Sequence, residues 1–139
     1  METGFIKITD MDSNKSTVEI KLINGTVWMT TNEIADLFGV HISTINKHLK
    51  GIFKDNLLRM KDVTKEYRYT CPENGECIRI YYNLEVVIFL SFQIQSIYTQ
   101  ALRNWIIYCL TKHSRREETL DTFIICNLGA DNYSLLNLN

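Results

Sequence analysis

The chain has 139 residues, 45% hydrophobic and 22% charged, the proportions of one globular domain around a single core. No apolar run reaches the roughly 18 residues of a membrane span. The amino end METGFIKITDMDSNK lacks the basic start and apolar stretch of a secretory signal, so a cytoplasmic location and no membrane partner are expected. The net charge of −1 excludes a uniformly cationic nucleic-acid binder.

The first local signal is Asn24-Gly25. Asn-Gly favours a type I′ hairpin turn because both central residues take positive φ. Strands are expected near 16–23 and 26–30, with Leu22 facing Val27 and Ile20 facing Met29, an apolar face set by the alternation Val18, Ile20, Leu22.

Next comes TTNEIADLFGVHISTINKHLKGIF, residues 30–53. Thr30-Thr31-Asn32-Glu33 has the T-x-x-E form of a capping box, which predicts a helix from about Thr31. Ile34, Leu37 and Phe38 give it one apolar face, and Gly39 stands where a left-handed terminator is wanted. A second helix is expected over 42–52, with Ile45, Leu49 and Ile52 inward and Ser43, Thr44, Asn46, Lys47 and Lys50 outward. His48, three residues after Ile45, is expected to be partly buried, the alternative being contact with a phosphate. Ala35, Gly39, Val40 and Ile45 follow the spacing of a helix-turn-helix, the unit that seats its second helix in a major groove. Asn46 suits adenine, Lys47 suits guanine or phosphate, and Ser43 and Thr44 suit either edge or backbone. Lys50 and Lys54 would lie along phosphates, and His41, at the helix entry, is expected among the DNA-binding residues. Charge supports the same segment: residues 1–40 carry −3, residues 41–70 carry +4 and residues 71–139 carry −2, so a local positive field exists where the total does not reveal it.

A second hairpin is expected over 64–82, turning at Asn74-Gly75. In a type I′ register Tyr67 faces Tyr82, Tyr69 faces Ile80 and Cys71 faces Ile78, while Arg68 and Arg79 share the opposite, polar face. A hairpin after a helix-turn-helix is the winged arrangement, and those two arginines would meet phosphates. Asn83 is a plausible N-cap for an apolar helix over 84–92. Ser96 or Thr99 would cap a longer helix to about 113, whose Leu102, Trp105, Ile106, Cys109 and Leu110 recur at helical spacing and read as core. The fold class expected is α+β: a winged helix-turn-helix-like domain over 1–113 with two β-hairpins and a C-terminal pair of helices. A tail over 114–139 is expected to be helical and then poorly ordered, or to pack on a second copy.

Four cysteines (Cys71, Cys77, Cys109 and Cys126) in a chain without an export signal read as free thiols. The C-x5-C spacing of Cys71 and Cys77, with His113 the only later histidine, is a poor zinc pattern. No H-E-x-x-H, G-x-S-x-G or P-loop motif occurs. His41 and His48 are too far apart for the usual i, i+4 metal pair. No enzyme activity, cofactor or metal is therefore expected.

TVWMTTNEIADLFGVHISTINKHLKGIFKDNLL, then YYNLEVVIFLSFQIQS, then ALRNWIIYCL resemble the amino-terminal region of the RhuM family, described as virulence-associated or DNA-binding proteins of bacteria. The order of segments is also similar to the Bro-N domain of phage antirepressors. The resemblance covers about residues 18–112 and implies a bacterial DNA-binding domain. Family members are commonly longer, with a second domain after this one, and the resemblance implies nothing of that domain's activity. The chain departs from the family pattern at Val40-His41, where an acidic-arginine pair is usual. It departs again at Ser91-Phe92-Gln93, in place of Gly-Tyr-Arg, and at Ser96-Ile97-Tyr98, in place of basic residues.

The function expected is double-stranded DNA binding in transcription regulation, as a homodimer, with helix 42–52 reading bases and the 64–82 hairpin on phosphates. The alternative is a protein-interaction domain that keeps the fold without DNA binding. Its surface would be Trp28, Tyr98 and the tail, with a possible protein partner through the C-terminal helices.

Overall fold

The computed structural model describes residues 2–9, 16–115, 122–127 and 132–137. It is α+β. Strand β1 (Phe5–Thr9) and strand β2 (Thr17–Lys21) form an antiparallel pair with Ile6 opposite Ile20. Strand β3 (Trp28–Met29), helix α1 (Thr31–Phe38), helix α2 (Ile42–Lys54) and a single turn α3 (Met60–Val63) follow. Strands β4 (Thr64–Cys71) and β5 (Gly75–Asn83) then form a hairpin, with β5 central in a sheet of order β3-β5-β4. Helices α4 (Leu84–Gln93) and α5 (Ile97–Arg115) come next, and β6 (Thr122–Asn127) pairs antiparallel with β7 (Asn132–Asn137). Within the 114–139 segment the described backbone is thus the end of α5 and a two-stranded ladder. Two strands stand where the sequence reading expected helix and disorder. The side chains of His113 and Cys126, and the rest of the tail, lie outside the described ones.

The core joins all five helices, α3 through Val63, to the inner side of the sheets. Phe38, Ile34, Ile45, Ile52, Val86, Leu90 and Leu102 are almost wholly removed from solvent. A fully buried aliphatic or aromatic side chain contributes about 1.5–3 kcal/mol, so this cluster is the main force holding α1, α2, α4 and α5 together.

The helix ends follow their sequences closely. Thr30 Oγ1 accepts from the Glu33 N–H at 3.2 Å, and the Thr30 N–H donates back to Glu33 Oε1 at 3.3 Å, the reciprocal capping box. Asn83 Oδ1 accepts from the Val86 N–H at 3.3 Å, and the Thr26 hydroxyl accepts from the Leu84 N–H at 3.0 Å across 58 residues. Of the two candidates for α5, Ser96 is the cap. Its Oγ accepts from the Thr99 N–H at 3.1 Å, and its own N–H donates to Thr99 Oγ1 at 2.9 Å. The buried Thr99 hydroxyl also donates to the Ile94 carbonyl at 2.8 Å. The last turn of α4 is closed from outside: Arg103 Nη1 donates to the Ser91 and Ile94 carbonyls, and Nη2 to Gln95 Oε1.

Two strand expectations require correction. Asn24 and Gly25 do turn with φ of 51° and 80°, as a type I′ turn requires. The ladder beyond it is a single bridge, Ile23 to Thr26. Strand 17–21 pairs with β1 instead, and 28–29 pairs with β5. The amino-terminal segment intervenes, since the Trp28 N–H donates to the Thr3 carbonyl at 2.8 Å. In the second hairpin the register is displaced by three residues. Tyr67 faces Arg79, Arg68 faces Ile78, Tyr69 faces Cys77 and Cys71 faces Gly75. Gly75 has φ of 74°, but Asn74 is not among the left-handed residues, so a type I′ turn is not formed. The loop is the three residues 72–74, so its centre falls one and a half residues before an Asn-Gly centre, and Pro72, whose ring fixes φ near −65°, suits its first position.

Candidate nucleic-acid interface

The bend at Gly39 fixes how α1 and α2 meet. Gly39 has φ of 66°, left-handed backbone that side chains other than glycine resist. Its N–H donates to the Asp36 carbonyl at 3.3 Å and the Val40 N–H to the Ala35 carbonyl at 3.1 Å, the paired bonds of a Schellman ending. A Cβ at this position would sit 2.9 Å from the ring of Tyr98. Glycine is therefore needed for conformation and for space, and Tyr98 is packed against the hinge rather than free for a partner.

With α1 so placed, α2 divides into two sides. Ile45, Leu49 and Ile52 are buried. Ser43, Asn46, Lys47, Lys50 and Lys54 are exposed, and their spacing of three, one, three and four puts them on one stripe opposite the buried one. Thr44 is half-buried at the side, as is His48, and His41 is exposed at the N-cap without a capping hydrogen bond from its side chain. Asn46 borders a groove with Thr31, Glu33, Ile78, Ile80 and Tyr82, between the start of α1 and strand β5.

The hairpin arginines are not brought together. The three-residue displacement is odd, so it turns residues to the other side of the sheet. Arg68 now shares its face with Ile78, Ile80 and the buried Tyr82, while Arg79 shares the other with Tyr67 and Tyr69. Arg68 Nη1 lies 3.6 Å from Glu76 Oε1, an exposed pair that adds little stability but offsets its charge. The Arg79 guanidinium lies over the Tyr69 ring, 4.9 Å from the centroid, and Tyr81 and then Tyr69 push its pKa up.

This outer face of the sheet was not foreseen. Trp28, Lys65, Tyr67, Tyr69, Arg79 and Tyr81 share it by register. Lys65 Nζ sits 5.3 Å from the Trp28 ring centroid, and the Tyr67 and Tyr69 rings stack at 6.3 Å and 16°. The alternation Tyr67, Tyr69 against Arg68 announces one aromatic face, but the expected register joins it to Ile78, Ile80 and Tyr82, which lie on the other side.

At the tip, the Glu73 and then Asn74 backbone N–H groups lower the Cys71 thiol pKa, whereas burial raises that of Cys109. Cys71, Cys77 and Cys109 are free. Among the described residues no cluster of His, Cys, Asp or Glu could hold a metal ion, and no helix is long and apolar enough to cross a membrane. Compared with known proteins, the chain matches no family model, no curated protein and no solved structure.

Proposed function

We propose that the chain binds double-stranded DNA as a transcription regulator of winged helix-turn-helix type, laying α2 in the major groove. The observation that carries the reading is the stripe of Ser43, Asn46, Lys47, Lys50 and Lys54, all exposed on a helix whose opposite side is locked into the core. Asn46 and Lys47 have base-reading chemistry, and Lys50 and Lys54 have phosphate-positioning chemistry. Thr44 and His41 flank the stripe. The β4–β5 hairpin is the wing, and Arg68 is the arginine on its α2-facing side. Arg79, on the outer side, meets a phosphate only if the duplex reaches round the wing. The resemblance of residues 18–112 to RhuM amino-terminal regions belongs to the same proposal, as do a bacterial cytoplasmic setting and the absence of catalysis.

The test is duplex binding followed by fluorescence anisotropy at two salt concentrations. Each lysine on a phosphate contributes about 1 to the slope of log affinity against log salt. Lys50→Ala with Lys54→Ala is therefore expected to lower the slope by about 2. Saturable binding that is indifferent to both substitutions would sink the reading.

A second reading is supported by α5, which exposes Ile107, Tyr108 and Leu110 at 51%, 59% and 45%. Such a surface fits a second copy of the chain or another protein. Light scattering at several concentrations separates a dimer that presents two recognition helices from a monomeric interaction domain with no affinity for duplex.

A further inference from the structure

We propose that the outer face of the β3–β5–β4 sheet binds single-stranded nucleic acid, stacking nucleobases on Tyr67, Tyr69 and Trp28 while Lys65 and Arg79 meet the phosphates. The surface is distinct from α2, and the proposal does not rest on duplex binding.

Three observations carry it. First, charge is segregated across the sheet. Lys65 and Arg79 project outward, whereas both strand carboxylates, Glu66 and Glu76, occupy register positions of the opposite face. Glu73 lies in the turn. A polyanion meets cations on this face and no strand carboxylate.

Second, the cations are held against rings. Lys65 Nζ is 5.3 Å from the Trp28 centroid and Arg79 is 4.9 Å from that of Tyr69. Each cation lies over a ring face, from which a stacking base displaces it towards that base's own phosphate.

Third, the rings are not part of the core. Tyr67 is 44% exposed, and Tyr69, Tyr81 and Trp28 are half-buried. Aromatic rings spaced along adjacent strands of an open sheet face form a platform that accepts any base, because every base has a π face. A duplex has its bases stacked internally and would find no use for these rings. An acidic peptide would use the two cations but leave the rings without a role.

The test uses the full chain and fluorescein-labelled dT and rU oligomers of about 12 nucleotides, within the usual span of one such platform, at low salt. Both oligomers are expected to bind, and a difference between them reports contact with the 2′-hydroxyl. Tyr67→Ala with Tyr69→Ala is expected to weaken binding by at least about 25-fold, from a minimum of about fivefold per stacked ring. Tyr67→Phe with Tyr69→Phe should hold affinity within about twofold, since stacking needs the ring and not the hydroxyl. Charge reversal by Lys65→Glu with Arg79→Glu should abolish binding and provides a second probe should the alanine pair fail to fold, as judged by circular dichroism. Lys47→Ala with Lys50→Ala should leave single-strand affinity unchanged. Four results would overturn the proposal: no saturable binding of either oligomer, indifference to the alanine pair, equal loss with the phenylalanine pair, or loss with the Lys47 and Lys50 pair. Competition by polyglutamate as effective as unlabelled dT would also overturn it, by making the face a site for acidic protein.

Discussion

Gly39 and Gly75 hold nearly the same backbone angle, φ of 66° and 74°, in quite different company. At Gly39 a Cβ would press on the Tyr98 ring at 2.9 Å, whereas at Gly75 nothing lies within 4 Å. The first glycine serves a junction of three helices and is indispensable twice over. The second serves a hairpin tip standing in solvent. A bend backed by burial has one solution, whereas a bend set only by its own turn residues is decided by whichever of them is most restrictive. In the hairpin that residue is Pro72.

The contrast can be tested by substitution. Removing the core beneath the elbow should cost most: Phe38, fully buried beside the hinge, changed to Ala should lower unfolding free energy by about 3–5 kcal/mol in a urea titration. Gly39→Ala should cost about 2–3 kcal/mol, combining left-handed strain of about 1–2 with overpacking against Tyr98. In a Tyr98→Ala background the same change should fall back to the strain alone, and an unchanged cost would show that the ring does not confine the hinge. Gly75→Ala should cost about 1–2 kcal/mol, because only strain remains. If Gly75→Ala proves as damaging as Gly39→Ala, the distinction fails. Thr30→Ala, which removes the exposed capping box, should cost about 1 kcal/mol.

The smallest effect is chemical. Because the Cys71 thiol is lowered by turn N–H groups and that of Cys109 is raised by burial, more of Cys71 is thiolate at any pH below its usual range. Iodoacetamide labelling read by mass spectrometry at neutral pH should modify Cys71 first, with the gap narrowing as pH rises. Equal rates would argue against the turn geometry.

The helical half of the molecule was legible because its signals are redundant. Thr30 and Glu33, Gly39, and the buried triad Ile45, Leu49 and Ile52 each specify the same elbow, and a period of 3.6 assigns the exposed stripe without knowledge of any partner. The strands offered less. The side a strand residue faces depends on whether a register is odd or even, so a three-residue displacement is enough to part Arg68 from Arg79. It also separates Tyr67 and Tyr69 from the Ile78, Ile80 and Tyr82 face they were expected to share. The pairing of β1 with β2 is non-local in the same way. Ile6 and Ile8 alternate with Lys7 and Thr9, a usable strand signal, but Asn24-Gly25 offered Thr17–Lys21 a nearer partner than the one it takes.

Arg103 has a bearing on how the chain acquires its shape during synthesis. Helix α4 has ten residues, too few to persist alone in water, and the carbonyls at its end are met by a side chain from the next helix. As the polypeptide leaves the ribosome, everything through Gln93 emerges before the group that finishes it. Until α5 has been made, α4 lacks the side chain that meets its last carbonyls and the elbow lacks its Tyr98 contact.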